Sequence, residues 1–351
     1  MSSRVYIGAK SFALKGTLLS KRTLETLAES TSLEELVNRL RQTQYSAPLS
    51  KLQPPFTARR LELAFRERFA DVHFALTKAA SRYELIKLYY LKNVAWNLKS
   101  ALKSKALGKS YEESIEYLDL HSEELIGRRE LIAKVLSAKD IQEAATLLTG
   151  TEFSEDIEKA VRAFSSTGET RLFDIYIDHT ILSAVAKEYS SNAKFYSASR
   201  PADVAGIEDM VSIDIDSYNV LSVLRAKLWG LSADEIRSLA ITPTYKVPLA
   251  VLLRMIGLET MSEAVKLFED AYTIAQQTGM SDEELINAAE EKFASESRKT
   301  SSKAFLWQGL GPSNALAVVK LLEFEVRNLA AIAVGVEALL PAKEVLSKLQ
   351  L

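Results

Sequence analysis

Apolar residues recur along this chain at intervals of three and four, as in Leu24, Leu27, then Leu33, Leu36 and Leu40, which is the period of a helix with one buried face. Only 13 Gly and 8 Pro interrupt 351 residues, so the pattern predicts an all-α protein. Helix starts are marked by capping pairs, in which a short polar side chain and an acid three residues later satisfy free amides of the first turn. Ser32 with Glu35, Asp140 with Glu143 and Thr260 with Glu263 are three such pairs. Each helix then runs into an aromatic residue, Tyr45, Phe153 or Tyr272.

A second marker recurs at Asn97, Asn219 and Asn328. Eleven residues on stand Gly108, Gly230 and Leu339; at thirteen stand Ser110, Ser232 and Pro341; at sixteen stand Glu113, Glu235 and Glu344. Glycine suits a left-handed helix end, Ser caps the next helix, Pro suits its first turn and Glu completes the box, so each copy predicts a helix-turn-helix corner. The caps lie 108 and 120 residues apart and the Asn positions 122 and 109, so both markers share a period. Three repeats are expected, at 1–115, 116–236 and 237–351. Gln53 to Phe56 reads as a loop before a helix, Ser165 to Thr170 and Glu296 to Ser302 as polar connectors, and Ser190 to Val204 as an ordered, irregular link.

Composition narrows the function. Hydrophobic residues make up 47% and charged residues 26%, as in a folded soluble protein. A formal net charge of -2 supplies no global field for nucleic acid or an anionic bilayer. Cysteine is absent, which removes disulfides, thiolate metal sites and thiol nucleophiles, and fits a reducing compartment. The start shows no basic region followed by a long apolar run, so no secretory signal is expected. Ala315 to Leu340, the most apolar stretch, carries Lys320, Glu323, Glu325, Arg327 and Glu337 and reads as a core helix, not a membrane span.

Candidate chemistry is sparse. Leu107-Gly108-Lys109-Ser110 imitates the end of a phosphate-binding loop, but Lys103 stands where that motif needs its first Gly. His73, His121 and His179 belong to no paired-ligand spacing. Asp174, Asp178 and His179 are the nearest approach to a metal or acid/base cluster, against the alternative of an acidic stripe on an exposed helix face. Asp214 and Asp216 read as acids preceding the Asn219 helix, where they meet the positive end of its dipole. No nucleophile elbow, dinucleotide fingerprint or kinase signature is present. Lys103, Lys105, Arg225 and Lys227 fall six and eight residues after the first two repeat Asn residues, a repeated basic edge that either complements a helix C-terminus or, with Trp229, meets a partner. Val334 and Val336 take those positions in the third copy. Tyr89, Tyr90 and Trp96 are further candidates for core or interface.

Asp216-Ser217-Tyr218-Asn219-Val220, followed by Arg225-Ala226-Lys227-Leu228-Trp229-Gly230, resembles the central signature of the C subunit of archaeal and bacterial A/V-type rotary ATPases, whose vacuolar counterpart is the d subunit. Glu325 to Gly335 resembles the closing segment of that family, and Ser32 to Tyr45 its first cap-to-aromatic unit. Val336 and Leu339 depart from it at the third corner, where members often carry a basic residue and a second Gly. The resemblance implies a funnel of three similar helical domains seated on the membrane rotor ring, its cavity receiving the foot of the central stalk. It implies a non-catalytic subunit without cofactors, peripheral to the cytoplasmic face, passing torque in a proton- or sodium-translocating ATPase. The alternative is a general helical repeat scaffold for protein partners; an enzyme built on Asp174, Asp178 and His179 is the third reading.

Overall fold

A computed structural model describes residues 3–196, 205–274, 279–306 and 309–351. The chain is all-α. Six long helices set its plan: α1 (Ala58–Ala79), α2 (Glu84–Ala106), α3 (Leu172–Ser191), α4 (Ile207–Leu228), α5 (Asp282–Lys303) and α6 (Pro312–Glu337). Each packs against the next in chain order, and α6 packs back against α1, so the six close into a ring. The corner helices are α2, α4 and α6, and α6 also touches α2 and α4, so these three approach one another across the ring.

Local sequence explains the starts and stops. Ser32, Asp140 and Thr260 each accept the amide of the Glu three residues on, so the three expected caps form; one such cap contributes about 1 kcal/mol. The corners form too. Gly108 and Gly230 take φ of +67° and +79°, and Ser110 and Ser232 then make full capping boxes with Glu113 and Glu235. The third corner keeps the left-handed turn without glycine, with Leu339 at φ +55°.

The repeat Asn does something the sequence pattern does not reveal. Asn97 donates to the Asp119 carbonyl and accepts the Asp119 amide at 3.3 Å. Asn219 does the same with Ile241 at 3.0 and 2.8 Å, and Asn328 with Gln350 at 3.0 and 2.9 Å. In every copy the partner is 22 residues downstream. A side-chain amide is thus paired to a main-chain peptide like a rung of sheet, pinning the segment beyond the corner to the corner helix.

The cap aromatics are joined to the corner helices across the expected boundaries. Tyr272 donates to Asp216 at 2.9 Å and Tyr45 to Glu325 at 2.7 Å, both acids lying three residues before a repeat Asn. In the remaining copy the acid position is Val94 and the aromatic is the buried Phe153, so hydroxyl and carboxyl are lost together. That is the expected economy, because either polar group alone would be buried unpaired.

Several sequence expectations change. Asp214 and Asp216 do not precede a helix: they lie inside α4, which begins at Ile207, where the Gly206 amide donates to Asp209 at 2.6 Å. Asp216 is buried and Asp214 largely so, and both have partners on other elements, so no helix dipole explains them. Glu296 to Ser302 is not a connector but the last part of α5, whose polar residues are satisfied along the helix by Lys292 with Glu296 and by Ser301 with the Ser297 carbonyl. Ser165, Ser166 and Thr167 finish the helix Ser154–Thr167, leaving Gly168, at φ +74°, to begin the turn. Of the expected link, Ala193–Tyr196 is a helical turn, and 197–204 lie outside the described residues. The loop at Gln53 to Phe56 is present, with Thr57 capping α1.

Candidate functional site

The six long helices enclose a cavity of about 580 Å³ to which all of them contribute side chains. Its charges balance: Arg66, Lys92, Lys99, Arg225, Lys320 and Arg327 stand against Asp174, Asp178, Asp214, Glu290, Glu291 and Glu323. Three of these, Lys92, Asp214 and Glu323, hold one equivalent position, five residues before the repeat Asn on each corner helix. Three copies of any single charge there would repel; instead Lys92 pairs with Glu323, and Asp214 takes Lys320 as its partner.

The pairs run between helices. Lys320 of α6, almost wholly buried, meets both carboxylate oxygens of Asp214 on α4 at 2.5 and 2.6 Å, and Tyr89 of α2 donates to the same carboxylate at 2.6 Å. One largely buried carboxylate therefore ties together the three corner helices. Lys92 of α2 reaches Glu323 of α6 at 3.3 Å, and Arg327 holds that Glu at 2.8 Å. Lys99 and Lys103 of α2 bind Asp178 and Asp174 of α3, each at 2.5 Å, and Arg225 of α4 binds Glu290 of α5 at 2.7 Å. Arg66 of α1 lies 3.8 Å above the Trp96 ring of α2.

Burial opposes the charges of Glu323, Lys320 and Lys92, and their neighbours act against it. For Glu323, Lys92, Arg327 and Lys320 outweigh burial and hold the carboxyl well below the usual range. Burial pushes the Lys320 ammonium down against the pull of Asp214, whereas Glu323 and Asp214 overcome burial at Lys92 and push it up. Burial, then the Asp214 charge, drives the Tyr89 hydroxyl well up, so it remains a donor.

The sequence-predicted residues are dispersed. Asp174 and Asp178 face lysines of α2, while His179 turns to Asp156 at 2.7 Å, so the expected Asp174, Asp178 and His179 cluster does not assemble. Lys103 and Arg225 form the inter-helix pairs just described. Lys105 donates to the Ala138 carbonyl at 2.6 Å, and Lys227 to those of Ile256 and Leu258 at 3.0 and 2.6 Å, so both close the end of a neighbouring short helix. Trp229 is half-buried beneath the Arg171 guanidinium, 4.9 Å from its ring. Tyr89 and Tyr90 are core residues, and Trp96 is half-buried. His73 is buried, which pushes its ring down to about 4, and it bonds the Ile86 carbonyl at 3.1 Å.

Glu67, Asp71 and His121 are the grouping with metal-ligand geometry among the described residues. Sequence spacing misses it because the three span two helices 50 residues apart, and its members are already engaged, His121 with Asp71 at 2.7 Å and Glu67 with Lys51 at 2.5 Å. Sequence reasoning also passes over Lys320 and Glu323, which stand out there only as charges that break a membrane span. The signal for Glu323 is a charge placed five residues before the Asn in all three copies; Lys320 has no such repeat signal. Among the described residues no helix is long and apolar enough to cross a membrane.

Comparison with known proteins covers nearly the whole chain. Residues 7–348 match the family described as ATP synthase (C/AC39) subunit. The C subunit of the A-type ATP synthase of Methanocaldococcus jannaschii is 26% identical over 347 residues, covering 94% of this chain and 82% of the relative. The Pyrococcus furiosus protein of that name is 23% identical over 336 residues, covering 93% and 85%. The Pyrococcus horikoshii one is 26% identical over 272 residues, covering 74% of this chain and 66% of its own length. A match of such extent places this chain in the ATP synthase (C/AC39) subunit family, as a subunit of a rotary ATPase.

Proposed function

We propose that this chain is the non-catalytic socket of the rotor, a torque-transmitting link between the central stalk and the membrane ring of an A/V-type ATPase translocating protons or sodium ions. The observation that supports it best is the closed ring of six helices around a polar cavity, braced by charge pairs that cross from helix to helix. Torque shears neighbouring helices past one another. A closed ring has no free edge to peel, and a buried ion pair resists slippage because breaking it strands a charge in a medium of low dielectric. The cavity would take the foot of the stalk, and the repeats at 1–115, 116–236 and 237–351 would form a three-domain funnel on the cytoplasmic face, attached peripherally through the ring. On this reading no nucleotide or metal is held, and the candidate contact residues support partner docking indirectly: Lys105 and Lys227 through the helix ends they brace, Lys103 and Arg225 through their inter-helix pairs, and Trp229 through its packing under Arg171.

The test is reconstitution of the ATPase in liposomes with and without this chain. With it, ATP hydrolysis should drive ion uptake; without it, hydrolysis should continue while uptake falls to background. Uptake at full rate without the chain would refute the socket role.

A further inference from the structure

Three short helices, Lys21–Ala28, Arg129–Ser137 and Leu249–Gly257, precede the three cap helices. The 108- and 120-residue shifts that relate the caps superpose their buried positions: Leu24, Leu27 and Ala28 become Ile132, Val135 and Leu136, then Leu252, Met255 and Ile256. The outward positions can therefore be compared one for one. In the first two helices they include Lys21, Arg22, Thr26 and Glu29, then Arg129, Glu130, Lys134 and Ser137. In the last they are Leu249, Ala250, Arg254 and Gly257, with Leu253 between them in place of Glu25 and Ala133. The first two copies place Lys21 and Arg129 at the Leu249 position and Glu25 and the small Ala133 at the Leu253 position, so the fold needs no large apolar side chain there, yet the third exposes 38% of Leu249 and 43% of Leu253.

A groove of about 220 Å³ lies beside this face, lined by Leu228, Leu231, Ile236, Ile256 and Met261 and rimmed by Glu259 and Asp282. The residues matching Leu231 and Glu259 around the corner that follows Asn97 are Lys109 and Lys139, so that corner carries positive charge at both places. Lys227 is turned inward onto two carbonyls, and neither Glu259 nor Asp282 is in an ion pair among the described residues. The uncommitted charge at the rim is negative.

We infer that Leu249, Leu253 and the adjoining groove form a docking face for an amphipathic helix of another polypeptide, aliphatic toward the face and basic along the edge that meets Glu259 and Asp282. Helix-in-groove recognition needs these parts: spaced apolar anchors, and a charged margin that fixes direction.

The first test uses the purified chain and a synthetic helical peptide of leucine and lysine with leucine on one face, followed by fluorescence anisotropy. Leu253→Asp and Glu259→Lys should each weaken binding by about tenfold or more, the loss of one anchor, whereas Ala133→Asp should leave it unchanged. Equal affinity in all variants, or equally tight binding of a leucine and glutamate peptide, would overturn the inference. The second test places the chain's sole cysteine by Leu253→Cys, attaches a photo-crosslinker and illuminates the intact ATPase. A crosslink to a helix of a different subunit is expected; a crosslink to a second copy of this chain, to lipid or to nothing contradicts it. Should the chain fail to assemble with an ATPase at all, the socket reading fails, while the peptide measurement still decides the docking face.

Discussion

Two sets of equivalent residues behave in opposite ways. Asn97, Asn219 and Asn328 are identical and make the same two-bond clamp to a peptide 22 residues on. Lys92, Asp214 and Glu323 are equivalent too, yet no two are alike. The clamp solves a problem internal to each copy, so one solution serves three times. The charged position lies where copies meet, and three like charges sharing a low-dielectric space cannot all be satisfied. A repeat that closes on itself can therefore keep its clamp uniform but must diverge around its centre.

The largest effect should come from breaking the central set. Lys320→Met strands Asp214 in the interior and should cost about 4 kcal/mol in chemical denaturation, the usual loss for one partner of a buried pair. Adding Asp214→Leu should recover most of it; no recovery would mean that Lys320 acts through packing and not charge. Next, Asn219→Ala leaves the Ile241 amide and carbonyl without partners and should cost about 3 kcal/mol. Asn328→Ala should cost less, since Gln350 is half-buried whereas Ile241 is buried. Equal losses at these two positions would show that solvent access does not set the strength of the clamp.

The copy containing Asn97 offers a pH test. It lacks an acid at Val94, and its buried carboxyl is Glu123 on the segment beyond the corner, accepting from Asn97 and from Ser122 at 2.9 Å. Burial, only partly offset by those donors, pushes Glu123 up from 4.5 to about 7. The folded state therefore keeps a proton that the unfolded state releases, and the contribution of Glu123 to stability falls as pH rises from 4.5 through about 7. Glu123→Gln should gain on the wild type by about 1–2 kcal/mol between roughly pH 5 and roughly pH 8, read from melts at each pH. A difference that does not change with pH would contradict that origin.

The smallest effect lies at the third corner. Leu339 holds a left-handed φ of +55° while 79% exposed, where the other copies have Gly108 and Gly230. Leu339→Gly relieves backbone strain but adds freedom to the unfolded chain, for a net gain of about 0.5 kcal/mol. Gly230→Ala should instead lose about 1 kcal/mol. Close packing adds to the difference at this corner, since a Cβ on Gly335 would overlap the Val345 side chain.

Much of this is legible in the sequence because caps and corners are local grammar. Ser32, Asp140, Thr260, Ser110 and Ser232 all act within three residues of themselves, and each can be recognised from its neighbours alone. Asp214, Asp216 and Glu296 mislead because the helices around them are buried on one side by charge-bearing neighbours, so polar residues there no longer mark a helix end. The central charge set and the Tyr272 to Asp216 bond depend on contacts 56 or more residues apart, which periodicity cannot supply. The family resemblance rests on the corner residues, and the match over residues 7–348 agrees with it.

The central claim is that this ring is the seat of the stalk. Because the chain has no cysteine, Ser217→Cys puts a single thiol in the cavity wall, where a photo-crosslinker can be attached in the assembled ATPase. A crosslink to a component of the central stalk, identified by mass spectrometry, is the predicted result. A crosslink only to a stationary peripheral component would contradict it.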